Sequence, residues 1–233
     1  MPTRKNLGIP ALFKKIVQQY QSLLETIDQW FIDCQSIAKS QISCRRNCTG
    51  CCRGLFDISL LDAGLLQLGF SLLDETQQQP VLTKAETRLA ALKRQWPELK
   101  APYILNNLPD NEWQKMPEED ETPCPLLSDD GLCLVYEFRP MTCRLHGLPN
   151  IDISGESFSD EFCSLNFQNT DPLTNPELRW TFRDTFEKEF DLLAQFSQQL
   201  TGSQRLELDT FIPMALLIDF DGTDWKNLPK PTF

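Results

Sequence analysis

The chain has 233 residues, a formal net charge of −11 and nine cysteines. This length allows one sizeable hydrophobic core, so the fold does not need the crosslinks on which small secreted domains depend. An acidic protein of this kind argues against a broad nucleic-acid-binding surface.

The first residues of the chain and its hydropathy indicate a cytoplasmic protein. The first eight residues lack the apolar stretch of a secretory signal. No run approaches the roughly 20 apolar residues of a membrane span. We therefore expect a reducing compartment and no membrane insertion.

The first predicted element is a long amphipathic helix over residues 11–40. Apolar side chains recur there at three- and four-residue spacing, and Pro10 is well placed to open the helix. Cys34 lies on the apolar stripe, where a free cysteine behaves as a small hydrophobe. We therefore predict that Cys34 belongs to the core and is not a metal ligand.

The middle of the chain predicts a cysteine loop, two further helices and a long loop. The cysteine loop covers 44–54, and a short extended segment follows at 55–58. Ser59 suits the cap of a helix ending near Gly69, and the capping-box pattern from Thr83 to Glu86 predicts the start of the next helix. Residues 97–123 are predicted to be loop, with a solvent-exposed acidic run at 118–121.

The second half predicts a hairpin, a single helical turn and a long helix. Asp130-Gly131 is a turn signal between the apolar arms of a hairpin at 124–133, so Cys124 and Cys133 can meet at its open end. A helical turn at 135–139 stops at Pro140. The last long helix is predicted over 176–200, and the segment 211–220 fits helix or strand equally well.

These elements together predict a mainly α fold: one helical domain over 1–233 with a cysteine-rich metal-binding loop and a short β-hairpin. The metal-binding core would cover 44–163, with flanking helices at 11–40 and 176–200.

The cysteines give the strongest functional signal in the chain. Four of them fall within nine residues, which brings soft sulfur ligands together as zinc or an iron–sulfur cluster requires. Disulfide bonding is the alternative, but the cysteine number is odd and no export signal is seen. The candidate metal ligands are Cys44, Cys48, Cys51, Cys52, Cys124, Cys133, Cys143 and Cys163.

Eight thiols exceed the four ligands of one ordinary zinc ion or cubane cluster. Either two sites exist, or some cysteines have another role, and the Cys51-Cys52 pair is the place where the set would divide. His146, the chain's single histidine, is a weaker candidate ligand. Arg139 and Arg144, which bracket Cys143, could donate to a thiolate or pair with Glu137.

Three further arginines, Arg45, Arg46 and Arg53, lie among the first cysteines. They could recognise an anion, or they could compensate the negative charge of a thiolate-rich site. We favour charge compensation, because clustered thiolates need cations and hydrogen-bond donors around them.

The order of these residues resembles the YkgJ-type CxxCxxCC cysteine-cluster family, described as a "putative zinc- or iron-chelating domain". The resemblance covers roughly 44–163. This chain departs from the nominal pattern in having three residues between its first two cysteines, and Leu145-His146-Gly147 stands where members often carry an aromatic residue and proline. The residues that carry the resemblance are Cys44, Cys48, Cys51, Cys52, Cys124-Pro125-Leu126-Leu127, Gly131, Cys133, Tyr136-Glu137, Arg139-Pro140, Cys143-Arg144 and Cys163.

One enzyme class shares part of this spacing. The positions of Cys44, Cys48 and Cys51 match a radical-SAM cluster, but a predicted helix precedes the loop and no α/β repeat follows it. A single histidine leaves no Ser/His/Asp triad, and the chain has no P-loop or Rossmann glycine pattern.

The sequence thus predicts a metal-binding protein that holds zinc or an iron–sulfur cluster through its cysteines, with a slight preference for the cluster. A metal-dependent redox or modifying enzyme is the alternative, and its catalytic residues are unknown. The predicted partner is a metal ion; a protein partner stays open, whereas membrane and nucleic acid are not expected.

Overall fold

A computed structural model describes residues 13–108 and 120–228. Within these residues the protein is mainly α-helical with two small antiparallel sheets, which confirms the predicted fold class. The helices are α1 (Lys14–Ile37), α2 (Leu60–Ser71), α3 (Glu75–Gln95), α4 (Met141–Leu145), α5 (Phe182–Thr201) and α6 (Ile212–Ala215). The strands are β1 (Asp57–Ser59), β2 (Asn150–Ile151), β3 (Ser157–Ser159) and β4 (Asp209–Phe211).

Helix α2 forms the centre of the hydrophobic core. Most of its side chains are buried, and it contacts α1, α5 and α6. Ser59 caps it as predicted, since its hydroxyl accepts a hydrogen bond from the Asp62 backbone N–H at 3.1 Å. The amphipathic helices α1 and α5 cover α2 with their apolar faces, as their periodicity requires. None of the described helices is both long and apolar enough to cross a bilayer.

The segment that was ambiguous in the sequence is a strand followed by a short helix. Strand β4 pairs with β1, with Asp57 opposite Phe211, and α6 follows directly. Phe211 and Met214 are fully buried. The strand pair therefore fixes the C-terminal part of the chain against the segment that follows the cysteine loop.

The predicted start of α3 was wrong. The helix begins at Glu75, eight residues before Thr83, and its capping box joins Asp74 and Gln77. Thr83 lies inside the helix, where its hydroxyl donates to the carbonyl of Gln79. The capping-box pattern at 83–86 therefore occurs within a helix that had already started.

The predicted start of the last long helix was also wrong. Residues Pro176–Leu178 form a single 3₁₀ turn, and α5 begins only at Phe182. Between them the Trp180 N–H donates to the Ile151 carbonyl at 3.1 Å. This strand-like pairing keeps the chain extended before the helix starts. The predicted end near residue 200 is confirmed, because α5 ends at Thr201 and Gly202 follows with a φ of +80°.

Helix α1 ends at Ile37, three residues before its predicted end, and the first two residues of its predicted range lie outside the described part of the chain. The hairpin at 124–133 is confirmed. Leu127 bridges to Cys133, and Gly131 adopts the positive φ that its turn requires.

The acidic run is only partly described, because residues 118 and 119 lie outside the described ranges. Asp120 forms an ion pair with Arg88 of α3, and both side chains are largely buried. The expectation of a solvated acidic face is therefore wrong for Asp120.

Candidate metal centre

The cysteine loop follows α1 and makes two tight turns. The Cys48 N–H donates to the Arg45 carbonyl at 2.8 Å, and the Cys52 N–H donates to the Thr49 carbonyl at 3.0 Å. These turns bring all four thiols of the loop to the wall of one cavity. The short spacing of the cysteines therefore places all four thiols of the loop along one cavity.

The hairpin that carries Cys124 and Cys133 is hydrogen-bonded directly to this loop. The Cys124 N–H donates to the Cys52 carbonyl at 2.9 Å, and the Gly54 N–H donates to the Thr122 carbonyl at 2.9 Å. Gly54 has a φ of +87°, and a Cβ there would lie 3.1 Å from the Asp120 carbonyl oxygen. Distant cysteines are thus joined to the loop by backbone contacts.

Helix α4 presents Cys143 and is held in place by two carboxylates. The Met141 N–H donates to Asp62 of α2 at 3.0 Å, and the guanidinium groups of Arg139 and Arg144 both pair with Asp28 of α1. The sequence offered Glu137 as the partner of these arginines, but its carboxylate is not the group they bind. Instead the Glu137 backbone carbonyl accepts from Arg144 at 2.8 Å.

Asn166 joins Cys44 to the segment that carries Cys163. Its side-chain oxygen accepts from the Ser43 N–H at 2.8 Å, and its amide nitrogen donates to the Gly147 carbonyl at 2.7 Å. The same nitrogen lies 3.4 Å from the Cys44 sulfur. Gly147 approaches so closely that a Cβ there would lie 3.2 Å from this sulfur. Sequence reasoning missed Asn166, because a single asparagine carries no metal-binding pattern.

The electrostatic neighbours of Cys44 define one group of thiols. Burial is the main reason that the pKa of Cys44 is raised, and Cys163, Cys48 and Cys51 raise it further. The Asn166 side chain acts in the opposite direction by hydrogen bonding to the sulfur. Cys44, Cys48, Cys51 and Cys163 are called the first group below, because the last three are the thiols that act on Cys44.

The remaining four cysteines form a second group. Burial raises the pKa of Cys143 well above its usual value, with further increases from Cys124 and Cys133. The pKa of Cys52 is lowered, mainly by hydrogen bonding with Cys51, while burial and the other three members of its group oppose this. The second group is Cys52, Cys124, Cys133 and Cys143.

The two groups meet at the neighbouring residues Cys51 and Cys52. The contact between these neighbouring thiols raises the pKa of Cys51 and lowers that of Cys52. Cys51 also raises the pKa of Cys143, which belongs to the second group. The groups are therefore adjacent.

A cavity of about 440 Å³ lies over the cysteines. Seven of the eight candidate ligands line it, and Cys163 lies outside its lining. His146 lies at the end of α4 with its ring edge-on to Phe56, and it lines both this cavity and a second, acidic one. His146 therefore stands beside the thiol groups at the boundary of two cavities.

Cys34 is separate from both groups. It is 1% exposed, and its sulfur lies 3.9 Å from the Leu178 carbonyl oxygen. Burial raises its pKa to about 12, so the thiol stays protonated. The prediction that Cys34 is a core residue is confirmed.

The sequence profile of the CxxCxxCC family, whose description is "putative zinc- or iron-chelating domain", matches residues 43–164. This match covers more than half of the chain, and the protein belongs to that family of cysteine-cluster domains. Comparisons with curated proteins and with solved structures found no significant match.

Proposed function

We propose that the protein binds metal at two adjacent sites, each with four cysteine ligands. Two contacts support this division: the Cys124 N–H is bonded to the Cys52 carbonyl, and Asn166 links Cys44 to the segment of Cys163. The effects of the thiols on one another's pKa point to the same grouping. Four thiolates are the usual ligand set of a structural zinc ion and of a cubane iron–sulfur cluster. One site would use Cys44, Cys48, Cys51 and Cys163, and the other Cys52, Cys124, Cys133 and Cys143.

Binding would require the thiols to turn towards the metal. Among the described residues, no three His, Cys, Asp or Glu side chains already have the mutual spacing of metal ligands. Several of the thiols are also held protonated, since burial raises the pKa of Cys124 to about 11 and raises that of Cys133 and Cys143 as well. A metal replaces these protons, so binding would release them and become tighter as pH rises.

An iron–sulfur cluster is our preferred occupant, with zinc as the competing one. Eight thiols drawn from a loop and three distant segments suit clusters or a pair of ions better than one finger-like site. All nine cysteines are free, which suits a reducing compartment such as the cytoplasm. A metal whose four coordination positions are all filled by protein ligands favours a role in metal binding, redox chemistry or binding of a partner. An enzyme would keep one coordination position of the metal open to water or substrate.

The test is anaerobic purification followed by metal and acid-labile sulfide analysis. A cluster would give brown protein whose visible absorbance bleaches in air, whereas colourless protein with stoichiometric zinc would reject the cluster and keep the cysteine assignment. Metal-free protein with stable disulfides would overturn the proposed function.

Serine substitutions test the division into two groups. Cys44→Ser and Cys133→Ser should each remove about half of the bound metal, because each breaks one site. Cys34→Ser is the matched control and should retain all of it, with only the destabilisation of a polar group in the core. Full metal content in both single-site variants would contradict the assignment.

A further inference from the structure

The cavity over the cysteines has the size and lining of a small-molecule site. Its volume of about 440 Å³ falls within the range of about 300–1,000 Å³ that is typical of ligand pockets. Apart from the thiols, much of its wall is apolar, which would suit the hydrocarbon or aromatic part of a ligand. The apolar wall includes Phe31, Ile32, Phe56, Ile212 and Pro213.

The charge of the lining is opposite to that of the whole protein. Apart from the thiols, the wall contains two carboxylates, Asp28 and Glu137, in a chain with 33 acidic and 22 basic residues. The five arginines of the lining are Arg45, Arg46, Arg53, Arg139 and Arg144. Metal-bound thiolates would add negative charge of their own, so an anion is expected beside the exposed loop arginines and not over the sulfurs.

Two of the five arginines are already committed to the fold. Arg139 and Arg144 share Asp28, and Arg139 lies 3.8 Å from the centre of the Tyr136 ring. Arg139 also lowers the pKa of Cys51 and Cys133, in opposition to the burial of these thiols. Compensation of thiolate charge is therefore a role that Arg139 can fill from a fixed position.

The three loop arginines remain available to a ligand. All three are exposed, and Arg45 donates only within its own loop, to Asn47 at 3.2 Å. Arg53 donates to the Glu121 backbone carbonyl at 3.3 Å and lies 4.0 Å from its carboxylate, and both contacts are exposed to solvent and therefore weak. Arg46 forms no hydrogen bond or ion pair with any residue that the structure describes.

We propose that this cavity binds an organic anion, with its apolar body against the Phe31 and Phe56 side of the wall and its acidic group at Arg45, Arg46 and Arg53. This differs from the charge compensation that the sequence favoured for these arginines. The ligand class is a carboxylate, phosphate or sulfonate on an apolar or aromatic body.

The experiment compares two fluorescent probes on the metal-loaded protein. One is 8-anilino-1-naphthalenesulfonate, and the other is N-phenyl-1-naphthylamine, which has the same rings without the sulfonate. The anionic probe should bind with saturation and weaken as salt is raised, because exposed charges are screened. The double variant Arg45→Gln/Arg46→Gln should bind the anionic probe about tenfold more weakly and the neutral probe with unchanged affinity. Arg94→Gln, an exposed arginine of α3 outside the cavity lining, is the matched control.

Four results would overturn the anion site. Three of them concern the probes: no saturable binding of the sulfonate probe, equal affinity in the double variant, and equal loss of both probes. Loss of metal in the double variant would also overturn it, since the arginines would then be compensating thiolate charge. Metal-free native protein that keeps arginine-dependent probe binding would reject the proposed metal function and leave the anion site standing.

Discussion

At the scale of single residues, the candidate centre depends on side chains that no cysteine pattern includes. Asn166 is 1% exposed and bonds Ser43, Gly147 and Cys44 at once. It lies just outside the family match, which ends at residue 164. Groups that orient metal ligands are often nearly as important as the ligands, because they fix the geometry in which the metal is held.

We predict that Asn166→Ala weakens metal binding at the Cys44 group by about 10- to 100-fold, the usual effect of removing such a partner. The variant loses the donor to Cys44, leaves the Ser43 N–H unpaired and removes one of the two donors to the Gly147 carbonyl, which also costs about 1–3 kcal/mol of stability. Competition with a chelator of known affinity measures the first effect, and chemical denaturation measures the second.

Asn106→Ala is the control for this prediction. Asn106 makes a comparable pair of bonds to Asp209, at 2.9 and 2.7 Å, away from the cysteines. It should lower stability and leave metal affinity unchanged. Equal metal affinity in the Asn166 variant and the native protein would show that Asn166 only supports the fold.

At the scale of elements, local patterns identified the helices better than their starts. Periodicity found α1 and α5, and Ser59 was correctly identified as the cap of α2. The starts of α3 and α5 were wrong for different reasons. Two capping patterns competed in the first case, and pairing of Trp180 with Ile151 held the chain extended in the second. The first error is local, whereas the second depends on a segment 29 residues away in the chain.

The two capping patterns of α3 can be compared directly. Asp74→Ala should destabilise the protein by about 1 kcal/mol, because it removes the acceptor for the Gln77 N–H at 3.0 Å. Thr83→Ala should be close to neutral, since Thr83 is exposed inside the helix. Urea denaturation of both variants is the measurement. A larger loss for Thr83→Ala would place the helix start where the sequence pattern had put it.

At the scale of the whole molecule, a partly buried acidic cluster ties three helices together. The Tyr20 hydroxyl of α1 lies 2.9 Å from Asp62 of α2 and 3.2 Å from Glu189 of α5. Burial, with the charge of Asp62 and Asp209, raises the pKa of Glu189 to about 8, and burial raises the pKa of Asp62 and of Asp209 to about 6. These carboxylic acids are therefore more stable protonated in the folded protein than in the unfolded chain.

A raised pKa fixes the direction of the pH effect. The contribution of Glu189 to stability is fully present below its unfolded value of 4.5 and is lost as pH rises through about 8. In Glu189→Gln this loss is absent. The free energy of unfolding of the variant, relative to that of the native protein, should therefore increase by at least about 1 kcal/mol from about pH 5 to pH 9. One pKa unit corresponds to about 1.4 kcal/mol.

Chemical denaturation at both pH values, at matched metal content, measures this gain. Glu187→Gln on the exposed face of the same helix is the control and should show no such change. A stability difference between Glu189→Gln and the native protein that stays constant with pH would contradict the raised pKa.

The sequence alone determined the helical class, the core position of Cys34 and the eight cysteines of the candidate centre, because periodicity and ligand spacing are local properties of the chain. Only the tertiary structure decided which thiols are neighbours. Cys163 joins the group of Cys44, while Cys52 joins the hairpin through the bond from Cys124. It also decided that Asp28 is the partner of Arg139 and Arg144, a contact more than 100 residues away in the chain. Such contacts arise when helices pack around one core, and no local pattern records them.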